Sequence, residues 1–167
     1  MKRLLLYVHF NKYDHISRHV FYQLEHMRPL FDKLVFISNS RLSESEVQKL
    51  RDKHLIDDFI QRENKGYDFA AWHDGMEFVG FDNLKQYDSV TVMNDTCFGP
   101  LWDMAPIYDK YESNSNVDFW GMTNHQGIKA GDIYIHEHLQ SYFISFKKRL
   151  VESSVFQKFW KSVESFE

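Results

Sequence analysis

Asn94-Asp95-Thr96 places an amide, a carboxylate and a hydroxyl side by side, directly after the apolar run Val90-Thr91-Val92-Met93 and shortly before Gly99-Pro100. Such a triplet can hold a hydrated cation, a ribose or a phosphate. The same residue types also cap a strand with an ordinary turn, so the triplet alone leaves both readings open. Polar residues follow other apolar runs in the same way: Asn11, Asn39, Asn64 to Asp68, and Thr123-Asn124-His125. In open α/β sheets ligands bind beyond the carboxyl ends of the strands, and polar clusters gathered along one edge are what a binding crevice needs.

Several other chemistries find no support. The chain has nine histidines, of which His15, His19, His26 and His54 fall in or beside expected surface helices. His136-Glu137-His138 lacks the i, i+4 histidine spacing of a helical zinc-protease motif. On a strand, His136, His138 and Gln140 would share one face, with Glu137 and Ser141 on the other. There is no Gly-x-Gly-x-x-Gly, no Gly-Lys-Ser/Thr phosphate loop and no nucleophile-elbow serine. Cys97 is the only cysteine, which excludes an internal disulfide and cysteine-rich zinc sites; a buried inert thiol is its simplest reading.

The elements that must position these residues can be read in order. Leu4 to Phe10 predicts a strand buried on both faces, and Asp14 is placed to cap a helix from Ile16 to about Leu30. A second strand covers Leu34 to Ser38, and Ser43 with Glu46 forms a capping box for a helix reaching about His54. Asp57 to Arg62 is a short third strand, and a helix runs from Asp68 to about Val79, with Asp68 either a plain cap or a site residue. The central strand Val90 to Met93 follows, then a helix within Leu101 to Tyr111 that carries Pro106 as a flaw or a late start. Val117 to Thr123 predicts another strand, Gln126 to Asp132 a loop able to move, and Tyr134 to Phe146 one long alternating strand. The basic Lys147-Lys148-Arg149 reads as a solvated start to the last helix. Phe156, Phe159, Trp160 and Val163 mark that helix, which lacks a stop signal before Glu167, as expected for a piece of a longer chain. The alternation of strand and helix predicts an α/β fold: an open, mostly parallel sheet with helices on both faces. At 167 residues it forms a single domain spanning 1–167.

Composition bounds the function classes. Aromatic residues make up 17%, which argues for a packed core and against disorder. The net charge of −4, without a basic helix face, argues against nucleic acid as a partner. The apolar run after Met1-Lys2-Arg3 is too short for a signal peptide or a membrane span, so a cytoplasmic setting is the expectation.

Asn64-Lys65-Gly66-Tyr67-Asp68, Asn94-Asp95-Thr96 with Gly99-Pro100, Asp118 to Thr123, and His138 to Phe143 occur in this order and at similar intervals in the rhamnan synthesis protein F family, which the chain resembles over nearly its whole length. Tyr7-Val8-His9-Phe10 is similar to that family's first strand. The resemblance implies a GT-A, Rossmann-like nucleotide-binding sandwich that transfers rhamnose from a nucleotide-activated donor such as dTDP-rhamnose to a cell-wall polysaccharide. It implies as partners the nucleotide-sugar donor, a polysaccharide or lipid-linked glycan acceptor and other assembly enzymes, with a peripheral location at the inner face of the plasma membrane. Asn94-Asp95-Thr96 then stands where such enzymes carry Asp-x-Asp for a divalent cation, Mg²⁺ or Mn²⁺, although only Asp95 is a carboxylate; His138 is the candidate second ligand. Implied donor contacts are His9, Asn11, Asn64, Gly66, Asp68, Asn94, Thr96 and Gln140. Asp118, Glu137 and His125 remain open as candidate bases for the acceptor hydroxyl. A non-catalytic sugar-nucleotide-binding or scaffolding module is the alternative reading.

Overall fold

The computed structural model describes residues 1–163. Its centre is a six-stranded sheet formed by β1 (Arg3–His9), β2 (Lys33–Ser38), β3 (Asp58–Gln61), β4 (Ser89–Asn94), β5 (Phe119–Gly121) and a late strand, Phe143–Lys147. The late strand becomes β10 in chain order, and the sheet order is β3-β2-β1-β4-β10-β5. β1 pairs in parallel with β2 and β4, and β2 with β3, whereas β10 runs antiparallel to both β4 and β5. The expected α/β class and mostly parallel sheet are therefore observed.

The apolar runs explain the layering. Successive side chains of a strand point to opposite faces, so β1 sends Leu5 and Tyr7 into one core and Leu4, Leu6 and Val8 into the other. The first core is closed by α1 (Arg18–Met27), α2 (Glu44–Asp52) and the helix Ala105–Glu112. The second is closed by α3 (Tyr67–Val79), which is followed by the short α4 (Phe81–Leu84). The helix Ala105–Glu112 is thus α5, and α6 (Lys148–Val151) and α7 (Ser154–Lys161) complete the second layer through Val151, Phe156 and Trp160. No helix among the described residues is long and apolar enough to cross a membrane.

Several boundaries depart from the sequence expectations. Asp14 does not cap α1: it lies at φ 55 and accepts a hydrogen bond from the Arg41 N–H at 2.8 Å, while Ser17 is the cap residue. The capping box of α2 is half made. Ser43 accepts from the Glu46 N–H, but the Glu46 carboxylate turns away to the Ile16 N–H at 2.8 Å, joining two helix starts. Pro106 marks the late start of α5. The stretch Tyr134 to Phe146 is not one strand, because its alternating pattern is shared among four partner strands. Between β5 and β10 the chain forms β6 (Asn124–His125), β7 (Ile128–Ala130), β8 (Ile133–Ile135) and β9 (His138–Leu139). β7 and β8 pair as a hairpin around Gly131 at φ 61, and β6 pairs with β9 below it. Gln126 to Asp132 is thereby ordered as part of a projecting ribbon and is not a free loop. Within the described residues α7 ends at Lys161; the continuation toward Glu167 lies outside them.

Candidate functional site

β4 lies between β1 and β10, so the residues that end it emerge at the middle of the sheet edge. Asn94, only 5% exposed, organises that edge. Its side-chain oxygen accepts from the Thr96 N–H at 3.1 Å and the Thr96 hydroxyl at 2.7 Å, and its amide donates to the Asp68 carboxylate at 2.7 Å. Asp68 is not the helix cap. Gly66, at φ 68, holds the cap position of α3 and leaves Asp68 in the first turn, aimed at the end of β4. α3 can bring it there because Gly75 lets the helix approach the sheet: a Cβ at that position would lie 2.5 Å from the Ile37 Cδ1. The Trp72 indole N–H donates to the Met93 carbonyl at 3.3 Å, tying helix to strand one residue before the triplet.

Asp95 turns toward the first strand. Its Oδ2 accepts from the Phe10 N–H at 3.1 Å and lies 4.0 Å from the His9 Nε2. His9 is fully buried, and its Nδ1 is 3.1 Å from the Ser38 hydroxyl. Ser38 also donates to the Ser40 carbonyl, and the buried His9 Nε2 faces Asp95 without a hydrogen-bond partner. Burial pushes the Asp95 carboxyl up to about 6 and holds the His9 imidazole down to about 4. His9 is therefore neutral near pH 7, and the 4.0 Å approach is no ion pair. Burial also raises the Asp68 carboxyl.

Two polar clefts flank this cluster. One, of roughly 540 Å³, is lined by Phe69, Asn94, Thr96, His138, Leu139, Gln140, Ser141 and Tyr142. It brings together Asn94, Thr96, His138 and Gln140, which lie far apart in sequence. The other, of roughly 710 Å³, lies beyond the ends of β2 and β3 and contains Asn64 beside Asn39, Arg41, Arg62 and Lys65. Arg62 is held there by Asp74 at 2.6 Å, the Asn39 side-chain oxygen at 2.8 Å and the Lys65 carbonyl at 2.9 Å. Arg62 and Arg41 were not expected as site residues. The signal for Arg62 was its place at a strand end, two residues before Asn64.

The remaining candidates are placed differently. Asn11 builds the loop after β1, bonding the Ser40 hydroxyl, the Ser17 hydroxyl and the Tyr13 N–H. Asp118 immediately precedes β5, level with Lys147 and Ser89 at the opposite edge of the sheet from Asp95. There Arg149 binds it at 2.6 Å and holds its carboxyl below the usual carboxylate range. Glu137 accepts from the Asn124 amide on the ribbon. His125 stacks on His138 with ring centroids 4.9 Å apart, and its Nδ1 is buried without a partner. Gln140 accepts from the Thr123 hydroxyl. Among the described residues no three His, Cys, Asp or Glu gather as a metal-binding group, and Asp95 does not line the cleft that contains His138.

Comparison with solved structures matches the fold. HddC from Yersinia pseudotuberculosis superposes with a TM-score of 0.53 at 9% identity, over 99% of this chain and 88% of that one. A 4-diphosphocytidyl-2C-methyl-D-erythritol synthase gives 0.56 at 10% identity, over 99% and 86%. Among curated sequences, the uncharacterized protein y4gN of Sinorhizobium fredii is 30% identical over 148 residues, covering 88% of this chain and 37% of that protein. The virulence protein VirA of Vibrio anguillarum is 30% identical over 130 residues, covering 77% and 37%. The chain thus spans little more than a third of the length of these relatives. The model of the family described as rhamnan synthesis protein F matches residues 34–167, so this chain belongs to the rhamnan synthesis protein F family.

Proposed function

We propose that this chain is the donor-binding domain of a glycosyltransferase that uses a nucleotide-activated sugar, with dTDP-rhamnose as the donor, to extend a polysaccharide. The single observation that carries this reading is the convergence of Asp68, Asn94, Asp95 and Thr96 at the end of the central strand, between two polar clefts. The cleft with Arg41, Arg62 and Lys65 suits the anionic nucleotide portion. The cleft with Asn94, Thr96, His138 and Gln140 suits the hydroxyl-rich sugar.

In the transfer, an acceptor hydroxyl attacks the anomeric carbon, the bond from that carbon to the diphosphate oxygen breaks, and the hydroxyl proton passes to a base. His125 stacks on His138 and Glu137 precedes it in the chain, whereas Asp118 lies at the far edge. Asp68 and Asp95 would be the carboxylates to hold a divalent cation. When bound, that cation would offset negative charge on the leaving group. His138 is better suited to the sugar than to the cation.

A non-catalytic binding module remains the second reading, favoured by the engagement of Glu137 with Asn124 and of Asp118 with Arg149. Calorimetric titration with dTDP-rhamnose, with and without Mg²⁺ or Mn²⁺, tests the donor site. Binding that is lost in Asp95→Ala and Asn94→Ala is expected, whereas wild-type protein that binds no nucleotide sugar would refute the assignment. Slow hydrolysis of the bound donor by this chain would favour the transferase over the binding module.

A further inference from the structure

Four of the six methionines, Met27, Met93, Met104 and Met122, line a single cavity of about 290 Å³ beside the sugar cleft. They come from α1, β4, the start of α5 and the chain after β5, so their meeting is a product of the tertiary fold. The cavity offers little hydrogen bonding. The Gln23 side chain reaches it, but its amide donates to the Cys97 carbonyl and its oxygen accepts from the Tyr7 hydroxyl. Its rim is formed by the segment after the Asn94-Asp95-Thr96 triplet, where Phe98, Leu101 and Trp102 stand 79%, 77% and 67% exposed. α1 braces that rim: the Tyr22 hydroxyl donates to the Pro100 carbonyl at 3.0 Å, and the Phe98 ring lies 4.6 Å from the His19 ring.

Contiguous exposed apolar surface of this kind marks an interaction site, and methionine side chains adapt to apolar groups of varied shape. The volume falls just below the roughly 300–1,000 Å³ usual for small-molecule pockets, so it suits a substituent better than a whole ligand. Tyr142 borders both this cavity and the sugar cleft, and its carbonyl accepts from the Asn94 N–H at 3.1 Å. An apolar group seated here would therefore be attached to something whose polar part enters the cleft.

We propose that this methionine-lined cavity binds a hydrocarbon group carried by the acceptor, directing the acceptor's sugar hydroxyl past Tyr142 to the end of β4. The proposal rests on the transferase reading above. Protein labelled with ¹³C at the methionine methyls tests it, with n-octyl β-glucoside below its micelle concentration as the probe and methyl β-glucoside as the tail-free control. The octyl compound is expected to move the Met27, Met93, Met104 and Met122 signals and to leave Met1 and Met76 in place. Met1 is solvent-exposed and Met76 lies in the core on the other face of the sheet. Leu101→Glu and Trp102→Ala, both at exposed positions, should each weaken octyl binding about tenfold, the scale of one lost apolar contact. Their dTDP-rhamnose binding should remain as in wild type.

Silent methionines, equal shifts with the methyl compound, or shifts produced by protein concentration alone would overturn the proposal; the last would mean that a second copy covers the cavity. Loss of donor binding in Leu101→Glu would assign the cavity to the donor instead. If wild-type protein binds no nucleotide sugar, the transferase reading falls and the acceptor assignment with it. Intact donor binding with silent methionines refutes only the cavity.

Discussion

His9 and Asp95 carry opposite burdens at the same sheet edge, and their titration makes this measurable. The folded protein keeps His9 neutral down to about 4 while an unfolded imidazole protonates near 6.5, so this residue removes stability as pH falls through that window. Asp95 keeps its proton up to about 6 while an unfolded aspartate ionises near 3.8, so it removes stability as pH rises. The two windows overlap and the slopes oppose, leaving the pair's net contribution nearly flat between about 4 and 6. Asp95→Asn should expose the His9 term alone. Urea unfolding of that variant is expected to lose about 2.5 kcal/mol between pH 6.5 and 4, where wild type changes little. A flat profile in Asp95→Asn would show that His9 is not held neutral by burial, and a wild type that loses as much as the variant would show that the Asp95 carboxyl is not raised. Asn94 was legible in the sequence as a polar residue at the end of the central strand. Its role as the acceptor for Thr96 and the donor to Asp68 was not, because Asp68 is 26 residues away and reaches it only through the packing of α3.

At the scale of elements, the two ends of the sheet are built for different tasks. The carboxyl end holds the clefts, while the amino end is closed by a structural pair: the Arg3 guanidinium grips Glu112 at the end of α5, and the Ser89 hydroxyl donates to the same carboxylate at 3.0 Å. Both side chains are largely buried, 14% and 4% exposed, so removing one leaves the other charge without its partner. Glu112→Ala should cost about 3 kcal/mol in chemical denaturation yet leave donor affinity unchanged at temperatures where the variant is folded. A loss of donor affinity in that folded variant would mean that the two ends are coupled. The ribbon is the converse case. Ile128–Ala130 and Ile133–Ile135 are exposed throughout and contribute nothing to either core. Replacing 128–135 by a short Gly-Ser turn should shift the thermal midpoint by no more than about 2 °C, since no buried surface is lost. The same change should weaken donor binding by loosening the β6–β9 pair that presents His138. A large fall in the midpoint would show that the ribbon stabilises the sheet.

For the molecule as a whole, the strand-and-helix order, both apolar faces of the sheet and the edge that carries the polar residues were set by local pattern. Fully buried runs such as Leu4 to Val8 admit only a central strand, and helices on both sides are then required to cover it. Local pattern also marked polar residues beyond the strand ends, which is why Asn11, Asn39, Asn64 and Asn94 were expected at one edge of the sheet. It could not decide anything that depends on which surfaces meet. The alternation of Tyr134 to Phe146 fits one strand or several equally well, and only the competing partners β4, β5, β6 and β7 divide it. Asp118 reads as a site residue by its motif, yet the direction of β5 carries it to the far edge, onto Arg149. The four methionines of the cavity share no spacing at all; they are neighbours because α1, β4, β5 and α5 pack together. Periodicity records which face of an element is buried, whereas contacts between elements are chosen by packing, and that is the part of this protein that only the tertiary structure decided.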